Sequence, residues 1–172
     1  MLTTRRLTLT APRDEDEEVI WKIHSDPRTY PHRPELVMTS RAEAHDLLHR
    51  WQADWSDHGI GYFLVSEQHA GPIGFCGTRP TEHQGQLVLN LYYRFAPEAQ
   101  GQGYAEEATR AALDWAMAQK PSAPVVALIS PVNQPSARLA LKLGMEPEPH
   151  PHDEVDHIVY RFPERLALPR AE

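Results

Sequence analysis

The stretch from Arg94 to Ala108 (Arg-Phe-Ala-Pro-Glu-Ala-Gln-Gly-Gln-Gly-Tyr-Ala-Glu-Glu-Ala) is the part of the sequence best suited to chemistry. A strand pattern ends there, a turn with Gly101 and Gly103 follows, and an alanine-rich helix pattern begins. Glycines permit backbone torsions that other residues resist, and they let a ligand approach the main chain. The first amides of a helix have no partner within it and carry partial positive charge. Together these features make a site for phosphate or diphosphate. The alternative is a tight strand-to-helix connection with no ligand. No Gly-Lys-Ser/Thr follows, so the turn is not a Walker A loop, and the third glycine of the dinucleotide fingerprint is missing. Elsewhere His150, His152 and His157 crowd one segment, but their spacing fits no zinc pattern and no cysteine joins them. No metal is expected. The single cysteine, Cys76, lies between Phe75 and Gly77 in an apolar run and reads as a buried, inert thiol.

The elements that must position this turn follow from hydrophobic period and punctuation. Strands are expected over residues 4–12, 62–66, 73–78, 86–95, 125–130 and 158–162. The strongest is 86–95. There Leu87, Leu89, Leu91, Tyr93 and Phe95 share one face, and Val88, Asn90, Tyr92 and Arg94 share the other. Helices are expected from Asp14 to about residue 26, from Ser40 to Gly59, over 102–119 and over 135–143. Ser40 with Glu43 forms a capping box, and Gly144 ends the last helix. Two long segments, 26–39 and 146–157, have no period and read as loops, which at such length are functional or disordered. The sum is an α/β sandwich with a mostly antiparallel first half and one strand–helix–strand–helix unit. A right-handed crossover would make strands 86–95 and 125–130 parallel, with a ligand between their C-terminal ends.

The length of 172 residues suits one domain spanning 1–172, with a core of about 4–162 and a loose tail over 163–172. A net charge of −7 leaves the chain without the broad basic face that nucleic acids or anionic membranes usually need, with a local basic patch still open. One cysteine excludes an intramolecular disulfide. No apolar run is long enough for a signal peptide or a membrane span, so the cytoplasm is the expected location.

Gln100-Gly101-Gln102-Gly103-Tyr104-Ala105 resembles the Gln/Arg-x-x-Gly-x-Gly/Ala motif of the GNAT superfamily of acyl-CoA-dependent N-acetyltransferases. Pro97-Glu98 stands at the usual distance before it. Asn133-Gln134-Pro135-Ser136 through Lys142-Leu143-Gly144-Met145 resembles the family's Asn-x-x-(Ala/Ser) helix. Thr4 to Leu9, Asp26-Pro27 and Ile73 to Gly77 look like the ribosomal-protein N-terminal acetyltransferase (RimJ/RimL-type) branch. The resemblance implies a three-layer sandwich. Its mixed, mostly antiparallel sheet would splay between two central parallel strands, with helices on both faces. It also implies acetyl-CoA as co-substrate, with the diphosphate on the amides of Gln100, Gly101, Gln102, Gly103, Tyr104 and Ala105. The pantetheine arm would run beside Tyr93 and Phe95, and Asn133 and Ser136 would contact it.

The implied activity is transfer of an acetyl group to a primary amine, on a small molecule or a protein N-terminus, by direct attack. Oxyanion donors are expected among backbone amides near Leu91 and Tyr92. Ser136 and Tyr92 are the catalytic candidates. Ser136 replaces a tyrosine that many relatives carry nearer the end of this helix, where Ala140 stands here. Asn90 occupies the position where relatives often place a basic glutamate, and it cannot take a proton. The base must then come from His32, Glu35, His150, His152, Asp153, Glu154 or His157, or the amine must arrive neutral through water. Asn90, Tyr92, His32 and His157 are candidate acceptor contacts, and acids in the two loops could attract a cationic amine. Two other readings stay open: transfer from another acyl-CoA such as succinyl-CoA, and a non-catalytic acyl-CoA sensor. Dimers are common in the family, and nothing in the sequence confirms a homodimer.

Overall fold

In the computed structural model, residues 1–149 and 156–163 are described. The strands are β1 (Leu2–Thr3), β2 (Leu7–Thr10), β3 (Tyr62–Glu67), β4 (Gly71–His83), β5 (Gln86–Phe95), β6 (Val125–Ile129), β7 (Glu146–Pro147) and β8 (Ile158–Arg161). The helices are α1 (Glu17–His24), α2 (Arg41–His58), α3 (Tyr104–Gln119) and α4 (Gln134–Leu143). One sheet runs in the order β1-β2-β3-β4-β5-β6-β8-β7. Every neighbouring pair is antiparallel except β5 with β6, the two strands that α3 joins. Among the described residues no helix is long and apolar enough to cross a membrane.

Alternation along β5 divides the interior into two layers. Leu89 and Leu91 face α3 and α4 and pack with Leu113, Ala116, Ala140 and Leu143. Phe95 and Tyr93 continue that face against Ala108 and Ala112. Tyr92 points the other way, into the layer that Ile20, Ile23, Leu48 and Trp51 of α1 and α2 build over Tyr62, Leu64 and Phe75. Small residues on α3 let it sit close to the sheet. The sandwich with helices on both faces is therefore as the sequence implies.

The β5 ladder to β4 keeps one register from Gln86 to Phe95. The ladder to β6 has two rungs only, Leu89 opposite Val125 and Asn90 opposite Val126. Beyond Asn90 the strands part. β5 stays with β4 and β6 stays with β8. A wedge-shaped gap opens between them, lined by Leu91, Tyr92 and Tyr93 on one side and by Ala127 to Ser130 on the other.

Local differences from the sequence reading have physical causes. The expected strand 4–12 shrinks to β2 because Thr4 folds back, its amide donating to the Leu7 carbonyl at 2.9 Å. β4 runs on to His83 through Pro80, a residue that discourages strands. It is tolerated because β3 ends opposite Gly77, which leaves Pro80 paired on the β5 side only. Leu87, assigned to an apolar face, is 66% exposed because it lies on β5 before the layers of helices begin. Residues 14–16 form a 3-10 turn ahead of α1, and the loop 26–39 contains two more, Pro27–Thr29 and Pro34–Leu36. The capping box holds: the Ser40 amide donates to Glu43 at 2.9 Å.

Trp51 is 2% exposed and stacks edge-on to Tyr62 and against Phe75, with ring centres 5.5 and 4.9 Å away. Trp51→Ala is expected to lower unfolding free energy by ~3–5 kcal/mol, read from urea or guanidinium melts.

Candidate active site

The turn between β5 and α3 presents its backbone outward. A 3-10 turn, Pro97–Ala99, turns the chain, and Gly101 and Gly103 both take left-handed torsions (φ +74° and +78°). Gly103 is the N-cap of α3 and supplies no side chain to cap it. The amide of Gln100 bonds the Pro97 carbonyl, and that of Glu107 bonds the Gly103 carbonyl. Between them, the amides from Gly101 to Glu106 meet no acceptor among the described residues. Such a run of unpaired donors at a helix start is an anion cradle. Arg6 braces it from behind, donating to the Gln102 carbonyl at 3.0 Å and pairing with Glu107 at 2.7 Å while lying over the Tyr104 ring.

The cradle opens into an outer cleft of about 580 Å³ between α3 and α4, lined by Gly101, Gly103, Tyr104, Ala105, Asn133 and Ser136 among others. This meets an inner cleft of about 180 Å³ in the gap between β5 and β6. Tyr93, Arg94, Asn133 and Ser136 line both. Strand parity decides which β5 backbone groups face the gap. The Leu89 amide bonds the Pro124 carbonyl at 2.8 Å, so the backbone of Leu91, Tyr93 and Phe95 faces the same way. The rung at Asn90 uses the Leu91 amide, and Tyr92 faces β4. Tyr93 therefore holds the first free backbone donor in the gap. The sequence expectation of Leu91 and Tyr92 amides is displaced by one to two residues.

A buried polar chain lies behind the inner cleft. His24 is 2% exposed, with Nδ1 2.9 Å from the Ile20 carbonyl and Nε2 2.9 Å from the Tyr92 hydroxyl. Burial, opposed by the Ile20 bond and reinforced by Arg94, takes the imidazole down to about 4. It is neutral near pH 7. A carbonyl can only accept, so Nδ1 carries the proton and Nε2 accepts from Tyr92. Arg94 Nε also donates to the Tyr92 oxygen, at 3.0 Å. The Tyr92 proton is thus committed to His24, and the phenol offers the cleft a lone pair only. Burial raises the Tyr92 phenol, so it stays protonated.

The chain matches the acetyltransferase (GNAT) domain model over residues 6–146. It belongs to the GNAT acetyltransferase family. The family makes it an acyltransferase. The Bacillus subtilis (strain 168) protein YkkB, uncharacterised, is 29% identical over 146 residues, 84% of each chain. The crystal structure of an acetyltransferase from Agrobacterium tumefaciens strain C58 is 25% identical, with a TM-score of 0.78 over 94% of this chain and 92% of that one. A Vibrio cholerae spermidine N-acetyltransferase, solved with CoA and spermine, is 20% identical with a TM-score of 0.73, covering 92% and 94%.

Most of the residues singled out in the sequence meet at this GNAT cleft, and some do not. Tyr93, Phe95, Gln100, Gly101, Gly103, Tyr104, Ala105, Asn133 and Ser136 line the outer part. Ser136 lies beside the Tyr93 phenol. Asn133 caps α4, its Oδ1 accepting from the Ser136 amide at 3.2 Å, which leaves its amide nitrogen for a ligand. Gln102 does not line the cleft: its side chain turns back to the Glu98 carbonyl at 2.8 Å, so only its backbone belongs to the turn. Asn90 lines neither cleft. It sits at the last parallel rung beside Tyr62, before the strands part. His32 lines the outer cleft and His157 the inner one. Glu35 is hydrogen-bonded to Arg33, which holds its carboxyl below the usual range. His150, His152, Asp153 and Glu154 lie outside the described residues. Cys76 is fully buried, and burial pushes its thiol up. Among the described residues no three His, Cys, Asp or Glu side chains converge as a metal site. His24 and Arg94 are the contributors the sequence reading missed. Arg94 stood on the polar face of β5, a signal that could have found it.

His24 makes stability depend on pH. Unfolded, it takes a proton near 6.5, and folded, only near 4. Below pH 6.5 the unfolded chain binds a proton that the folded one refuses, so stability falls as pH drops toward about 4, by up to ~3 kcal/mol in full. Denaturant melts from pH 7 to 4 are expected to show this loss, and His24→Gln is expected to lack this part of it.

Proposed function

We propose that the protein transfers an acetyl group from acetyl-CoA to a primary amine by direct attack within a ternary complex. The observation that carries this reading is the run of unpaired amides from Gly101 to Glu106, opening on a cleft that leads to the gap between β5 and β6. An uncancelled row of N–H dipoles fits a diphosphate. The acids nearby do not oppose it, since Glu98 pairs with Arg28, Glu106 with Lys142 and Glu107 with Arg6. The CoA held by the Vibrio cholerae enzyme of the same fold supports the choice of coenzyme.

On this reading the pantetheine arm lies along the inner edge of β5 as an added strand would. It exchanges hydrogen bonds with the backbone of Tyr93 and Phe95 and with the Asn133 amide. The Tyr93 N–H meets the thioester oxygen as charge develops on it. The amine nitrogen attacks the carbonyl carbon, the C–S bond breaks, and sulfur leaves with the bonding pair. The Ser136 hydroxyl donates to that sulfur, and the proton lost by nitrogen balances the thiol formed. Neither Asn90 nor neutral His24 can serve as a strong base, so the ammonium gives its first proton to water, with His157 at the inner cleft. Positioning of the two substrates then supplies much of the rate.

Gly103→Glu is expected to weaken CoA binding in calorimetry by roughly 100-fold, because it sets a negative charge in the cradle. Gly103→Ala carries the same left-handed strain without the charge, and it is expected to bind far more tightly than the Glu variant. Equal affinities for the two would remove the cradle from coenzyme binding. In a free-thiol assay over a panel of amines, Ser136→Ala is expected to lower kcat ~10-fold or more, with CoA affinity little changed.

A further inference from the structure

The inner cleft has a charge that the loop acids do not suggest. Its described lining includes Arg33, Arg94 and His157, and no carboxylate. Arg33 already has a partner in Glu35. Arg94 is different. It is half-buried, and every group that holds it is neutral. Nε donates to the Tyr92 oxygen at 3.0 Å, Nη1 donates to the Thr29 carbonyl, and the guanidinium carbon lies over the Tyr30 ring, 3.5 Å from its centre. Among the described residues no carboxylate pairs with it, and Nη2 has no acceptor. A guanidinium taken partly out of water and left without a counter-charge is costly. Neutral acceptors and a stacked ring hold its plane in place without cancelling its charge, which is what a receptor for an anion requires.

Tyr92 adds a second constraint. Its proton goes to His24 and its oxygen already takes one N–H from Arg94. What remains for a ligand is a lone pair, which suits an amine N–H. A hydrogen-bond acceptor for nitrogen and a free guanidinium edge therefore stand side by side at the end of the gap.

We infer that the acceptor is a primary amine with a carboxylate a few bonds from the nitrogen, the carboxylate held by Arg94 and the amine by Tyr92. This rests on the acetyl-transfer reading above and narrows its acceptor. A free amino acid and the acidic first residue of a peptide both present this chemistry. A polyamine does not: it would bring a second cation against Arg94. Pairing with Arg94 also cancels the field of the ligand's own carboxylate, which would otherwise hold the nearby amine in its ammonium form, and this eases deprotonation where no carboxylate base stands among the described lining residues.

The test uses the whole protein with saturating acetyl-CoA and follows free thiol. Matched pairs are compared: free alanine and serine with their α-carboxamides, amidated peptides beginning with Asp or Glu with those beginning with Asn or Gln, and spermidine as the cationic control. The carboxylate member of a pair is expected to have kcat/KM ~10-fold or more above its amide. Which set of pairs shows the larger ratio tells free amino acid from peptide N-terminus. Arg94→Gln is expected to erase the ratio by raising KM for the carboxylate member alone, with CoA affinity by calorimetry unchanged and Arg94→Lys restoring part of it. Should Arg94→Gln fail to fold, the wild-type ratios decide by themselves. Amides reacting as well as carboxylates in both sets of pairs, or spermidine reacting as well as the carboxylates, would overturn the inference. So would loss of CoA affinity in Arg94→Gln, which would assign this guanidinium to the coenzyme. CoA binding with no reaction of any carboxylate-bearing amine would overturn it too, and would leave the coenzyme site standing. A protein that binds no CoA would overturn the acetyl-transfer reading itself.

Discussion

The parting of β5 from β6 after two rungs is the constraint from which the site follows. A parallel pair that separates strips its facing edges of backbone partners, and such groups are costly when buried. The sheet survives because each strand keeps its outer neighbour, β4 on one side and β8 on the other. The freed edge of β5, beginning at Tyr93, then stands open to a strand-like ligand. The same divergence leads from the outer cleft on the α3 and α4 side to the layer beneath α1 and α2. On the proposed reading, a thioester delivered from one side meets an amine delivered from the other.

Charge is arranged locally, against the sign of the whole. The chain carries −7, yet among the described residues each end of the passage holds positive groups without a counter-charge. At the outer end the charge comes from backbone dipoles, and the acids of the turn are each engaged by a basic side chain. At the inner end it comes from Arg94, seated on neutral groups. Net charge sets long-range attraction and solubility. What a site binds is set by the few charges whose partners are missing.

His24 links this electrostatics to the core. It packs among Trp51 and Phe75, with ring centres 5.8 Å from each, and it spends both nitrogens on hydrogen bonds. A neutral, fully bonded imidazole is compatible with burial, and a charged one is not. That neutrality decides the direction of the Tyr92 proton, and so which side of the hydroxyl reaches the cleft. Packing and site chemistry are here the same set of contacts.

Much of the architecture was legible because it is written in short-range pattern. Residues 86–95 alternate by face, Ser40 and Glu43 form their capping box within one turn, and the two glycines announce a turn whose amides would be free. Each depends on residues within a few positions of one another, where torsional preference and side-chain period act directly. The resemblance carried by Gln100 to Ala105 and by Asn133 to Met145 then supplied the family. Where β4 would tolerate Pro80, how early β6 would leave β5, and that Gln102 would turn away and Asn90 stop short of the gap were not legible. Nor were the partners of Arg94 and His24, since Thr29 and Tyr92 lie 65 and 68 positions from them. The sequence by itself determined most of the helices and strands, the two-glycine turn and the family, because local backbone preference and short motifs encode them. Only the tertiary structure decided which carbonyls, rings and charges surround the reacting groups, because those contacts join distant segments and exist only once the layers have packed.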